Sequence, residues 1–279
     1  MLNNELIKKI EDFVYSKPRS VQEIASYIGK NWRTADRYIS EIEKNYGTIA
    51  TRVFREGTRG ALKIVYWASV EKISSSVFQE KLEEEILRAR KKEDFSAFDI
   101  FQYVNEKNKQ VKVKTEKSEE IAGFNNVKSI LEKAEKKILI FSGNLSFINF
   151  QQKDKKILDI LDALVKKGIS VKILCRVDIA GKKNIENVLA LNYKHGKEMV
   201  EIRHREHPLR ATIVDNKFFD IKEIKEPTGK ISELDKKIFI FYNIKDKEWV
   251  EWLTKIFWKM FSSSIDAKKR LMELEKIKQ

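Results

Sequence analysis

Three histidines and one cysteine bound the acid–base, nucleophilic and metal chemistry open to this chain of 279 residues. His195, His204, His207 and Cys175 show no metal-ligand spacing, so neither a metal nor a cofactor is expected. Cys175 sits in the apolar run VKILCRV and reads as a packed core thiol. The arginines offer a different chemistry. Six of the thirteen fall in the first sixty residues: Arg19, Arg33, Arg37, Arg52, Arg55 and Arg59. The guanidinium fork matches phosphate oxygens and the guanine edge, whereas scattered lysine often only solvates a surface. The formal net charge of +14 suggests an anionic partner, although a lysine- and glutamate-rich solubility surface gives the same balance.

Helical elements must position those arginines. Leu6, Ile10, Phe13 and Val14 recur at helical spacing over 4–16, and Pro18 stops the run. Ser20 with Glu23 three residues later is a capping-box pattern, opening a second helix that ends at Gly29. Asn31 can cap a third helix with Ala35, Ile39 and Ile42 inward, ending near Tyr46–Gly47. The stretch IATRVFREGTRGALKIVYW reads as two strands around a Gly57–Gly60 turn.

Residues 74–104 carry two apolar stripes. The first is Phe78, Leu82, Ile86 and Leu87; the second, after a break near Asp94–Ser96, is Phe98, Phe101 and Val104. The first stripe is expected to pack on the hairpin, with a helical dimer contact as the alternative. Residues 105–120 hold only two apolar side chains and are the expected boundary. From Ile121 helices and strands alternate, which favours an α/β domain. Expected strands are KILIFSG, SVKILCRV, MVEIRHR, RATIVDN, KFFDIK and KIFIFYN; expected helices are 121–135, 153–167, 184–192 and 246–261. The closing helix carries Trp249, Trp252, Leu253, Ile256, Phe257, Met260 and Phe261, and reads as core ahead of dimer interface. Three units result: 1–72, net charge +4; a helical linker 73–120, −1; and 121–279, +11.

The segment SVQEIASYIGKNWRTADRYISEIEKNYG resembles the helix-turn-helix of bacterial and archaeal transcription regulators, and over 4–67 the elements match a winged helix. The resemblance implies that the third helix enters the major groove of double-stranded DNA and that the hairpin lies along the backbone or in the minor groove. Arg33 and Arg37 are then the base readers, with Trp32 and Thr34 beside them; Lys30 and Asn31 would hold phosphate, and Arg52, Arg55 and Arg59 would be wing contacts. Trp32 could stack on the DNA or pack on the first helix. Winged helices also serve as protein-binding modules.

The segments KKILIFSGNL, LDALVKKGISVKILCRVD and EIRHREHPLRATIVDNKFFDIKE, with the ending IFIFYNIKDKEWVEWLTKIFWKMF, resemble one lobe of the phospholipase D superfamily and the related sensor domain of archaeal TrmB-type regulators. That family's signature is His-x-Lys, four residues, then Asp. Here the matching positions are Pro208, Arg210 and Asp215, so the nucleophile is missing; His207 stands one residue early, on the other face of an extended strand. No catalytic residue is assigned. Arg210 and His204 are the candidate anion- or ligand-binding residues. The resemblance implies a two-fold homodimer through the lobe, two winged helices and sensing of a small-molecule effector. The reading is therefore a non-enzymatic, cytoplasmic, nucleoid-associated transcription regulator of α/β class (α+β overall). It has no membrane partner, since no apolar run approaches a spanning length and the start MLNNELIKKIEDF lacks a signal-peptide core. Its rivals are a nuclease or phosphodiesterase of the same superfamily and a sequence-tolerant architectural DNA-binding protein.

Overall fold

Local capping divides the first forty-five residues into three helices. The structure is a computed structural model that describes residues 4–55, 61–68, 75–116, 118–227 and 236–276. Helix α1 (Asn4–Ser16) ends two residues before Pro18, whose ring disfavours helical backbone at Lys17. Strand β1 (Arg19–Ser20) follows. The Ser20 hydroxyl accepts from Glu23 N at 3.2 Å while Glu23 accepts from Ser20 N at 2.7 Å, a reciprocal cap that opens α2 (Val21–Tyr27). Gly29 turns the chain at φ +67°, a conformation in which a side chain would be strained. Asn31 then caps α3 (Trp32–Asn45) by accepting from Thr34 N at 2.8 Å. Ile10, Val14, Ile24, Ala25, Ala35, Ile39 and Ile42 form the core between these helices. Strands β2 (Ile49–Arg55) and β3 (Ala61–Trp67) pair antiparallel, and β1 adds to the far side of β3. The expected Gly57–Gly60 turn lies outside the described residues.

The expected boundary at 105–120 is not one. After α4 (Ser75–Arg88) and α5 (Ala97–Phe101), residues Lys109–Glu116 form β4, the edge strand of the large sheet. Low apolar content misled because an edge strand keeps one flank in water and tolerates charge there. Val111 and Val113 still pack on the core. The first stripe enters the core that also holds Phe54, Leu62 and Ile64 of the hairpin, and it packs on the closing helix as well. Leu82 and Ile86 are buried, and α4 lies along the closing helix, where Trp252 Nε1 donates to Gln79 O at 3.2 Å and Lys259 meets Glu83 at 2.6 Å.

The remaining elements follow in order: α6 (Glu119–Leu131), β5 (Lys137–Ser142), the short pair β6 (Gln151–Gln152) and β7 (Lys155–Lys156), α7 (Ile157–Lys166), β8 (Ser170–Cys175), α8 (Lys182–His195), β9 (Val200–His204), β10 (Ala211–Val214), β11 (Phe218–Lys225), β12 (Lys237–Ile244), α9 (Lys247–Ser262), β13 (Ile265–Asp266) and α10 (Ala267–Lys276). The eight-stranded sheet runs β13-β9-β8-β5-β10-β11-β12-β4; β5, β8 and β9 are parallel and the other pairings antiparallel. The chain is thus a mixed α/β fold with N-terminal helices and a large sheet.

Both faces of that sheet are covered, which is why its strands read as continuous apolar runs. In β5, Ile138 and Ile140 face α6, α7 and α8, whereas Leu139 and Phe141 face α9. All seven apolar residues singled out on the closing helix are buried there. On the α9 side the core continues into the small sheet. Phe54 of β2 lies 6.1 Å from Phe98 and 6.2 Å from both Phe101 and Tyr242. The two sheets therefore share one core. Truncating Phe54 to alanine should cost about 3–5 kcal/mol, the range for a buried phenylalanine. The loss should appear as a lowered urea midpoint with a single transition, and destabilisation below 1 kcal/mol would mean that the junction contributes little.

Candidate nucleic-acid interface and interior cavity

The head of α3 gathers the sequence's first group of site residues. Lys30 is exposed in the turn, Asn31 is occupied as the helix cap, and Arg33 and Arg37 are exposed on one side of the helix. Arg33 lies over Trp32 at 5.6 Å and Arg37 over Tyr38 at 5.3 Å, and neither makes an ion pair among the described residues. Trp32 and Thr34 are half-buried, and Trp32 packs against the three-helix core. Two contacts fix α3 on the hairpin: Asp36 to Lys63 of β3 at 2.6 Å, and Glu43 accepting from Thr51 N at 2.9 Å.

The hairpin arginines separate. Arg55 is exposed at the end of β2, and Arg59 lies outside the described residues. Arg52 differs from expectation. Its two terminal nitrogens grip the Glu106 carboxylate at 3.0 and 3.1 Å, and its guanidinium lies 5.0 Å from the Phe101 ring centroid. Glu106 also takes Lys109 at 2.9 Å, and hydrogen bonds from Arg52 and Lys109 hold its carboxyl down to about 2. A fork already spent on a carboxylate is not presented to a phosphate. Glu106 is distant in sequence, and nothing in the local pattern announced this pairing.

The ligand candidates of the large sheet also separate. Arg210 lines a cavity of about 800 Å³ where β5 ends and β10 begins; His204 does not. The His204 ring is an acceptor through Nδ1, from Val177 N at 2.9 Å, and burial lowers its pKa. Arg210 donates to Leu209 O at 2.8 Å and makes no ion pair among the described residues. Burial is the largest influence on its guanidinium and lowers its pKa. A Cβ added at Gly143 would stand 2.8 Å from Arg210 Nη2, so that glycine leaves the guanidinium its place.

Around the same cavity stand residues that sequence reasoning did not place in a site. Lys225 of β11 holds Glu223 at 3.0 Å and Glu23 of α2 at 3.2 Å; Lys17 donates to Glu93 O; Lys222 pairs with Glu119. They come from four separated segments, so no local spacing could have found them.

His207 is absent from the cavity wall. It is buried, its Nε2 donates to Leu174 O at 3.0 Å, its Nδ1 has no hydrogen-bond partner among the described residues, and burial pushes the imidazole down to about 3. Pro208 does line the cavity, and Asp215 spends its carboxylate on the backbone N–H groups of Glu135, Lys136 and Lys137 at 2.8–2.9 Å.

No family model and no curated protein matches the chain. Among solved structures it is similar to Nuc, a phospholipase D family member from Salmonella typhimurium: 17% identity, 57% of this chain, 97% of that one, TM-score 0.41. TrmBL2, an archaeal chromatin protein with a novel mode of DNA binding, matches at 16% identity over 94% of each chain, TM-score 0.40. NucT from Helicobacter pylori matches at 14% identity over 57% of this chain and 99% of that one, TM-score 0.38. Likeness at this level assigns no function.

Among the described residues no cluster of histidine, cysteine or carboxylate side chains could hold a metal, and no helix is long and apolar enough to cross a membrane. The cavity wall does carry a titration in the neutral range. Asp220 is buried and accepts from Asn126 Nδ2 at 3.1 Å, and burial pushes its carboxyl up from 3.8 to about 7. The folded state therefore retains a proton that the unfolded chain releases near 3.8. The resulting contribution is full below that value and is lost as pH rises through about 7. Chemical denaturation of wild type from pH 4 to 8 should show this decline, and Asp220→Asn should flatten it. An identical slope in the variant would remove Asp220 as its source.

Proposed function

We propose that this chain is a DNA-binding transcription regulator, with residues 4–67 acting as a winged helix and the large α/β part as a non-catalytic phospholipase D-like lobe that dimerises. One observation carries the reading. On α3 the exposed Arg33 and Arg37 stand together without a carboxylate partner among the described residues, beside Lys30, while Arg52 and Lys63 nearby are paired. Paired cations report folding; unpaired arginines at the head of a capped, braced helix are available to a polyanion, and a helix of this kind fits the major groove.

The absence of catalysis in this reading rests on Pro208 at the nucleophile position and on the burial of His207 away from the cavity. Dimerisation through the lobe would join two readers and multiply affinity through effective concentration. Light scattering should then return twice the chain mass of 32.8 kDa, and a mass of one chain would remove the dimer from the reading.

DNA affinity is the decisive measurement. Fluorescence anisotropy with a pool of duplexes should show binding that weakens steeply with salt. Arg33→Ala should cost about 1–3 kcal/mol on the preferred sequence and relax sequence choice. Arg52→Ala should reduce stability and leave the affinity of the folded protein nearly unchanged. Equal binding by wild type and Arg33→Ala across the pool would overturn the role given to α3.

A further inference from the structure

The cavity where β5 ends and β10 begins has an imbalance of charge that its own residues do not settle. Lys222, Lys225, Lys92 and Arg176 each meet a carboxylate within ion-pairing distance. Arg210, Arg90, Lys91 and Lys17 line the same cavity, and among the described residues none of them does. Of the seven acidic wall residues, Glu23, Glu93, Glu119, Glu223 and Glu226 are already engaged by lysines, which leaves Glu206 and Asp220 against four cations. The cations left over therefore outnumber the carboxylates left over. Arg210 is the most committed of them. It is half-buried, its place depends on the missing side chain of Gly143, and its fork is only partly used, by a neighbouring carbonyl.

We propose that this cavity binds a small organic phosphate, with the phosphate on Arg210 and the surrounding lysines, and that occupancy is reported to the helical N-terminal part through Lys225 and Glu23. Three properties favour that class. A planar guanidinium presents parallel donors that fit phosphate oxygens. Several unpaired cations suit a dianion better than a monocarboxylate, and a phosphate monoester carries about two charges at neutral pH. The volume of about 800 Å³ and the aromatic side chains Phe95 and Phe147 leave room and apolar surface for an organic body. The reporting arm is Glu23. That carboxylate caps α2, accepting from Ser20 N at 2.7 Å, and at the same time meets Lys225 on the cavity wall. A bound dianion competes with Glu23 for Lys225, so filling the cavity loosens the tie between α2 and β11. This deepens the regulator reading by giving the lobe an effector class, yet the site is defined without DNA.

The experiment is calorimetry on the full chain in the absence of DNA, with ribose 5-phosphate as probe and ribose as its neutral control. Ribose 5-phosphate should bind and ribose should not. Arg210→Ala should weaken binding at least tenfold. Gly143→Ala retains every charge but pushes on the movable end of Arg210; it should melt within a few degrees of wild type and still bind several-fold more weakly. Amide exchange over residues 20–27 should speed up when the probe is present. Equal binding of ribose, or undiminished binding by both variants, would overturn the site. Unchanged exchange over 20–27 at saturation would overturn the coupling. Displacement of the probe by duplex DNA would also overturn the proposal, because the cavity would then lie on the DNA path. Loss of DNA binding in Arg33→Ala bears only on the helix and leaves all these outcomes readable.

Discussion

The ring of Phe54 meets Phe98, Phe101 and Tyr242 at 6.1–6.2 Å, and through that contact a three-stranded and an eight-stranded sheet share a hydrophobic core. Aromatic edges and faces at these separations contribute through buried area and preferred geometry together. The consequence reaches beyond stability. Because β2 is anchored in the large core, and α3 is braced on the hairpin by Asp36–Lys63 and Glu43–Thr51, the head of α3 has a set orientation relative to the lobe. Polar contacts reinforce the junction on either side, Arg52 with Glu106 and Lys225 with Glu23. In a dimeric regulator such an anchor would fix the spacing of two recognition helices without a flexible tether.

The positive charge of the chain divides by partner. Arg52, Lys63 and Lys225 meet carboxylates at 3.2 Å or less, and those carboxylates belong to segments remote in sequence. Such residues hold one part of the fold to another. Exposed ion pairs contribute little individually, but Arg52 with Glu106 and Lys109 is a network over an aromatic ring and is better placed than most. Arg33, Arg37 and Arg210 differ in kind, having no carboxylate among the described residues. The first two stand on the outside of a helix and the third on a cavity wall. If the proposed DNA and phosphate sites both exist, this separation of surface and interior cations would let one protein take both anions.

The sheet also decides which side chains can do chemistry. His207 and Pro208 lie in the connection between β9 and β10, not in the strand that the sequence suggested, and the bend at Pro208 separates their surroundings. His207 is taken into the core beside Phe141, where its ring is neutral, and Pro208 is left on the cavity wall. Asp215, in a left-handed turn at φ +51°, binds three backbone N–H groups and closes the β10–β11 connection.

By itself the sequence determined the local elements. The Ser20–Glu23 cap, the Gly29 turn, the Asn31 cap and the apolar runs of β5, β8 and β12 are short-range patterns whose physics acts within a few residues, and the structure has each of them. Exposure of Arg33 and Arg37 followed from the same helical periodicity. The sequence could not show that Lys109–Glu116 is an edge strand, because a strand with one solvated flank and a polar linker have similar composition. It could not show that Arg52 is held by Glu106, nor that Lys17, Glu23, Lys225 and Arg210 surround a common cavity. The Arg52–Glu106 and Lys225–Glu23 pairs join residues 54 and 202 positions apart, and ion pairing and cavity walls depend on distance in space. Only the packing of the small sheet onto the large one sets those distances.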